Sequence, residues 1–230
     1  MTDLGERVDW TPPARPGPGP IEGRLVWLRP VHPAADADPL FRASHPPAGD
    51  PEHWTYLPYG PYDDADGLRE RLEECAGSAD PLFFTIELVS DDRPAGIASY
   101  LRITPEHGVI EIGHIWFGAE LRRSAAATEA IFLLAREVFD RLGYRRLEWK
   151  CNALNEASRR AAERFGFGFE GVFRKHQVVK GRNRDTAWYA ITDDEWPPLR
   201  AAYEEWLAPE NFDADGRQLR ALRDVIAEKR

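Results

Sequence analysis

Eight consecutive residues, Arg122-Arg123-Ser124-Ala125-Ala126-Ala127-Thr128-Glu129, form a pattern that could hold an anion. Ser124 is a candidate helix N-cap, and the alanines behind it leave the first turn free of bulk. The leading backbone N–H groups of a helix have no intrahelical partner, and the helix dipole adds partial positive charge beside them. A pyrophosphate can settle on such a terminus, with Arg122 and Arg123 supplying full charges. The same residues also describe a plain capped helix with two solvated arginines. Competing motifs are missing. No G-x-x-x-x-G-K-[ST] occurs, Gly166-Phe167-Gly168 lacks a third glycine and closes a helix, and there is no G-x-S-x-G. The six histidines, at 32, 45, 53, 107, 114 and 176, never pair at metal spacing on one element, so no metal is expected.

The charge distribution agrees with an anion site. The 230 residues carry a net charge of −9, which argues against a general nucleic-acid binder, yet residues 121–190 hold 15 Arg and Lys against 8 Asp and Glu. With 43% hydrophobic and 30% charged residues the composition is globular. No apolar run is long enough for a membrane span, and the first 20 residues, rich in proline, do not read as a secretory leader. Two distant cysteines, Cys75 and Cys151, fit a reducing cytoplasm and leave no disulfide framework.

The elements that must position these residues follow from periodicity and turn chemistry. Residues 1–20 form a Pro/Gly-rich tail. A strand is expected at 24–30, a short helix at 36–43, and a helix from about Asp64 to Ala76 with Leu68 and Leu72 four apart. Between those helices lies an aromatic, Pro-rich loop with Trp54, Tyr56, Tyr59 and Tyr62. Strands at Leu82–Val89, Ala95–Ile103 and Val109–Phe117 follow with short connections, which predicts an antiparallel meander. A long helix at 125–142 stops at Gly143, a strand spans Arg145–Cys151, and a helix spans Asn155–Phe165. A hairpin, Phe169–Val179 with Thr186–Ile191, and an acidic helical tail from about 193 close the chain. The helix at 125–142 crosses over between two strands, so those strands should be parallel neighbours, and a ligand belongs where they feed its N-terminus.

Four segments in this order carry a family resemblance: Glu111-Ile-Gly-His-Ile-Trp-Phe117, then Arg122-x-x-Ala125-x-Ala127-Thr128-Glu129-Ala130, then Asn155-x-x-Ser158, then Phe165-Gly166-Phe167. Together they resemble the GNAT superfamily of acyl-CoA-dependent N-acetyltransferases, and within it the branch that acetylates ribosomal-protein N-termini. The resemblance covers roughly residues 21–196, leaving 1–20 as a tail and 197–230 as a helical extension. Ala125 stands where the family's cofactor turn, Q/R-x-x-G-x-G/A, has its central glycine. The implied fold is α/β (α+β): a mixed, mostly antiparallel central sheet with one splayed parallel pair, flanked by helices. The implied co-substrate is acetyl-CoA, without a metal. Its pantetheine arm would pair with the backbone at Ile115, Trp116 and Phe117, and its diphosphate would rest on Arg122, Arg123, Ser124, Ala125, Ala126, Ala127 and Thr128. Asn155 would hold a pantetheine amide, and Ser158 would protonate the departing thiolate, because Ala162 replaces the tyrosine that many relatives use.

An amine must be neutral to attack a thioester, so some group has to accept a proton. The resemblance implies Glu111 as the first candidate. In the ribosomal branch the base position falls on Gln177, which cannot serve, and its neighbour His176 is the second candidate. Trp54, Tyr56 and Tyr59 would cover the acceptor side. The expected acceptor is a protein N-terminus or a small-molecule amine, reached by direct transfer in a ternary complex. The expected partners include neither nucleic acid nor membrane, and the enzyme would be a monomer or homodimer in the cytoplasm. A catalytically silent acyl-CoA-binding module on the same fold is the alternative.

Overall fold

The computed structural model describes residues 5–230. Residues 1–4 of the expected Pro/Gly-rich tail lie outside the described residues; residues 5–20 of that tail contain no helix or strand. Eight strands form one sheet: β1 (Ile21–Glu22), β2 (Val26–Pro30), β3 (Leu82–Leu88), β4 (Arg93–Thr104), β5 (Val109–Phe117), β6 (Arg146–Asn152), β7 (Gly168–Val179) and β8 (Arg182–Thr192). Their spatial order is β1-β2-β3-β4-β5-β6-β8-β7, and β5–β6 is a parallel pair while the other neighbours are antiparallel. Six α-helices flank the sheet: α1 (Pro33–Ser44), α2 (Ala65–Ala76), α3 (Ala125–Arg136), α4 (Glu156–Arg164), α5 (Trp196–Leu207) and α6 (Leu222–Lys229). None of the described helices is long and apolar enough to cross a membrane.

Alternation along the strands sorts the core into two layers. Leu82, Phe84 and Ile86 on β3 and Ala98 and Tyr100 on β4 join Ile131, Leu134, Leu199 and Tyr203 from α3 and α5 in one cluster. Phe83 and Ile97, their odd-numbered neighbours, point to the opposite face and pack with Leu40, Leu68, Leu72 and Trp54. Two details depart from expectation. The helix expected over 125–142 changes to a π-helical turn at Glu137–Leu142 before Gly143 ends it with φ 77°, and a two-residue edge strand, β1, precedes the first expected strand.

The parallel pair comes apart where it matters. β5 and β6 are in register only from Val109↔Arg146 to Ile112↔Trp149. On its other side β5 fits three steps, Gly113 to Trp116, against two steps of β4, Ser99 to Ile97. The extra residue makes a bulge at His114, whose φ of 51° lies in the left-handed region. Beyond Ile112, β5 therefore stays attached to β4 while its edge towards β6 is left without a partner strand.

Candidate functional site

A cleft of about 590 Å³ opens at this separation. Its walls include Glu111, Ile115, Trp116, Phe117, Arg122, Asn155 and Ser158, so the strand, the turn and the second helix that the sequence singled out do meet. A smaller hollow, about 240 Å³ between α1 and residues 118–120, involves none of them.

At one end of the cleft stands Arg122, in the turn that leads into α3; residues 123–128 do not line it. Ser124 caps α3 as expected: its Oγ accepts from the Ala127 N–H at 3.1 Å and donates to the Leu121 carbonyl at 2.7 Å. Ala125 and Ala126 pack against the core, Ala127 and Thr128 are buried, and the Thr128 hydroxyl accepts from the Arg164 guanidinium at 3.1 Å. These four residues can therefore offer a ligand little besides backbone. Arg123 is exposed with φ 59° and does not line the cleft, whereas Arg122 does.

Asn155 caps α4, its Oδ1 accepting from the Ser158 N–H at 3.0 Å. The Ser158 Oγ accepts from the Trp149 indole N–H, also at 3.0 Å, which fixes the oxygen and leaves its own proton to be donated. Cys151 borders the same space, but it is buried, and desolvation pushes its thiol above the ordinary range. A thiol in that state is a poor nucleophile at neutral pH.

Glu111 is only 3% exposed and is held by two cations. Its Oε2 takes the Arg102 guanidinium at 2.6 Å and the Lys150 ammonium at 3.0 Å, and Lys150 also reaches Glu148 at 2.5 Å. Its Oε1 lies beside Gly113, with no hydrogen bond among the described residues. His176, the other candidate base, is exposed and does not line the cleft; its Nδ1 sits 2.9 Å from the Thr186 hydroxyl and its ring packs with Phe173 and Trp188. The cleft is lined by Gln177 instead.

The aromatic loop divides in the same way. Tyr56 lines the cleft and donates to the Leu154 carbonyl at 3.1 Å. Trp54 does not line it: the ring is fully buried among His45, Tyr62 and Trp116, a core role rather than a contact surface. Tyr59 also turns away, stacked on His114 with the Arg71 guanidinium 4.4 Å from its ring centroid. Lys180, in the β7–β8 turn, holds this loop by donating to the Trp54 and Gly60 carbonyls at 3.0 Å.

His53, His114 and Arg184 also line the cleft, with no role expected for any of them from sequence. Neither ring nitrogen of His53 has a hydrogen-bond partner, and His114 Nδ1 meets the Tyr59 hydroxyl at 3.2 Å. Burial, aided by nearby arginines, lowers both imidazoles from 6.5 to about 4. Both are therefore neutral at physiological pH. In the unfolded chain they take protons near pH 6.5, so the stability they contribute is complete above that value and is lost as pH falls towards 4. Each can add a slope of up to about 1.4 kcal/mol per pH unit, less for His53, the more open to solvent. The expected result is a Tm that falls between pH 6.5 and 4.5, with a shallower fall in the double variant His53→Gln/His114→Gln. Identical slopes in the two proteins would contradict this account.

Comparison with known proteins bears on what this cleft does. Residues 25–168 match the Acetyltransferase (GNAT) domain family. A GCN5-related N-acetyltransferase from Brucella melitensis superposes with a TM-score of 0.92 at 47% identity, covering 95% of this chain and 99% of that one. "Probable N-acetyltransferase YjcK" of Bacillus subtilis is 26% identical over 182 residues, 76% of this chain and 99% of its own length. YdaF, also of Bacillus subtilis and provisionally named a ribosomal N-acetyltransferase, is 28% identical over 159 residues, 68% of this chain and 78% of its own.

Proposed function

The chain belongs to the GNAT family and is an N-acetyltransferase; on that premise we propose that it moves an acetyl group from acetyl-CoA directly to a primary amine, on a protein N-terminus or a small molecule, inside the cleft between β5 and β6. The observation that carries this reading is the free edge of β5 from Gly113 to Phe117, which runs towards the capped N-terminus of α3 and faces Ser158.

The residues present suit acetyl-CoA. An unpaired strand edge offers backbone donors and acceptors to an amide-containing arm, as a neighbouring strand would. Arg122, which makes no ion pair among the described residues, stands by the helix terminus where a diphosphate would be favoured. When bound, acetyl-CoA supplies the activated acyl group. Asn155, with its Oδ1 committed to the cap, keeps its side-chain N–H groups for an arm carbonyl. Ser158 donates its proton towards the departing sulfur, and Glu111 takes up the amine's proton through water at its free Oε1. Direct transfer is favoured over an acyl-cysteine route by the protonated, buried Cys151 thiol. Two unpaired cysteines suit the cytoplasm as the place of action.

A CoA-dependent thermal shift together with amine-dependent thiol release tests the reading; a shift without thiol release would favour the silent acyl-CoA-binding module. The ion pairs on Glu111 and the alanine at position 125 are the features that favour this second reading. Ser158→Ala is expected to lower kcat about a hundredfold, within the range for loss of a general acid, with little change in the Kd of acetyl-CoA. Equal losses in both would make Ser158 a binding residue only.

A further inference from the structure

Arg184 is the cation in the cleft whose charge nothing on its side of the site answers. It comes from β8, opposite Gln177 of β7, and both line the cleft. The arginine is half-buried, and its Nε is shielded from water without a hydrogen-bond partner. No ion pair to its guanidinium exists among the described residues. Other basic side chains nearby are committed: Arg102 and Lys150 to Glu111, Arg146 to Glu148 and Glu170. Desolvation pulls the Arg184 guanidinium below its usual range. A guanidinium withdrawn from water and left unpaired is unfavourable unless something it binds completes it.

Its position says what that is. Arg122, the other unpaired arginine of the cleft, stands in the turn before α3, whereas Arg184 extends from the β7–β8 hairpin, past the last β6–β8 pair at Asn152↔Thr186. The same hairpin carries Lys180, which holds the aromatic loop that presents Tyr56 to the cleft, so Arg184 stands on the acceptor's side. Glu111 could have neutralised Arg184, but it is already paired twice. The one cleft therefore presents both a carboxylate oxygen without a partner and a guanidinium without a partner.

We propose that the acceptor is an amine that also bears an anionic oxygen group, a carboxylate or a phosphate, with Arg184 binding the anion while Glu111 faces the amine. This deepens the proposed function and rests on it. Such a ligand supplies the fork-shaped acceptor that a guanidinium binds best.

The test compares wild type, Arg184→Gln and Arg184→Lys in thiol release with two matched pairs: β-alanine against β-alaninamide, and O-phosphoethanolamine against ethanolamine. In wild type, the anionic member of one pair should have the higher kcat/KM by at least about tenfold, since a site built for a polar group rejects the analogue lacking it. The pair showing the preference separates carboxylate from phosphate. Arg184→Gln should collapse that ratio towards one, Arg184→Lys should recover part of it, and the Kd of acetyl-CoA should stay unchanged in both. No preference in either pair, or a preference that survives Arg184→Gln, overturns the proposal. A comparable loss of acetyl-CoA affinity also overturns it, by moving Arg184 to the cofactor. If none of the four amines reacts although acetyl-CoA binds, the same compounds are compared by thermal shift on the CoA complex. Stabilisation by an anionic member that needs Arg184 then supports the inference, and its absence overturns it. Failure of acetyl-CoA to bind at all rejects the proposed function, and this inference with it.

Discussion

Glu111→Gln is expected to lower kcat/KM for the amine by about a hundredfold or more at pH 7, the range for removing a general base. The glutamine fits the same space, so the effect should be chemical. Lys150 retains Glu148 at 2.5 Å, and Arg102, with its side chain 46% exposed, can turn to water. The variant therefore avoids the fully orphaned buried charge that costs about 3–5 kcal/mol when one partner of an isolated pair is removed. The pH dependence provides the sharper readout. A lysine-type amine is almost wholly protonated at pH 7, and a protein α-amine is mostly so. Wild-type rate should rise with pH as the amine sheds its proton, with Glu111 lowering the barrier at neutral pH. In Glu111→Gln the deficit should be largest near pH 7 and shrink above pH 9, where the amine deprotonates without help. A pH–rate profile identical in shape and height to wild type removes Glu111 from the reaction.

The placement of Glu111, Asn155 and Ser158 in one cleft was legible because each lies in an element with a strong local signal. Alternation fixes the faces of β5, cap chemistry fixes the starts of α3 and α4, and a crossover helix makes β5 and β6 parallel. The same rules predict the antiparallel meander β3-β4-β5. They fail where geometry comes from a bulge or a loop. The left-handed residue at His114, which detaches the end of β5 from β6, is not a glycine and has no composition to mark it. In β7 the register slips between Phe173 and Gln177, and Lys175 has φ 52°. His176 and Gln177 nevertheless keep opposite directions, which puts the histidine outside the cleft. The aromatic loop has no period from which to tell inward from outward, so Trp54 and Tyr59, read as acceptor contacts, prove to be packing for α1, α2 and His114. Arg184 belongs to no motif, and lies between the two expected strands of the last hairpin. Its significance depends on which partners are already taken, which no linear pattern contains.

Glu129→Ala is expected to cost about 3–5 kcal/mol of stability, although Glu129 touches no part of the cleft. This carboxylate, 5% exposed on α3, reaches the turn that starts β2 and accepts three successive backbone N–H groups: Arg24 at 3.2 Å, Leu25 at 2.5 Å and Val26 at 2.9 Å. Gly23 makes the approach possible, since a Cβ there would stand 2.7 Å from Glu129 Oε2 and 2.8 Å from the Val26 carbonyl. Alanine leaves the buried Val26 N–H without an acceptor, at about 1–3 kcal/mol, and removes two part-buried charge-assisted bonds that water replaces only in part. The Tm should fall by roughly 10 °C, given about 2–4 °C per kcal/mol in a chain of this size. Glutamine is not a remedy, because its amide end would turn one donor towards others; it should recover only part of the loss. The same carboxylate fastens α3, which begins beside Arg122, to the β1–β2 edge of the sheet. Acetyl-CoA at about a hundred times its Kd should therefore restore some 2.7 kcal/mol by mass action if the variant's folded state keeps the seat intact. A Tm within about 2 °C of wild type would show that water replaces the carboxylate. A large fall that acetyl-CoA does not offset would show that α3 shifts when its anchor is removed.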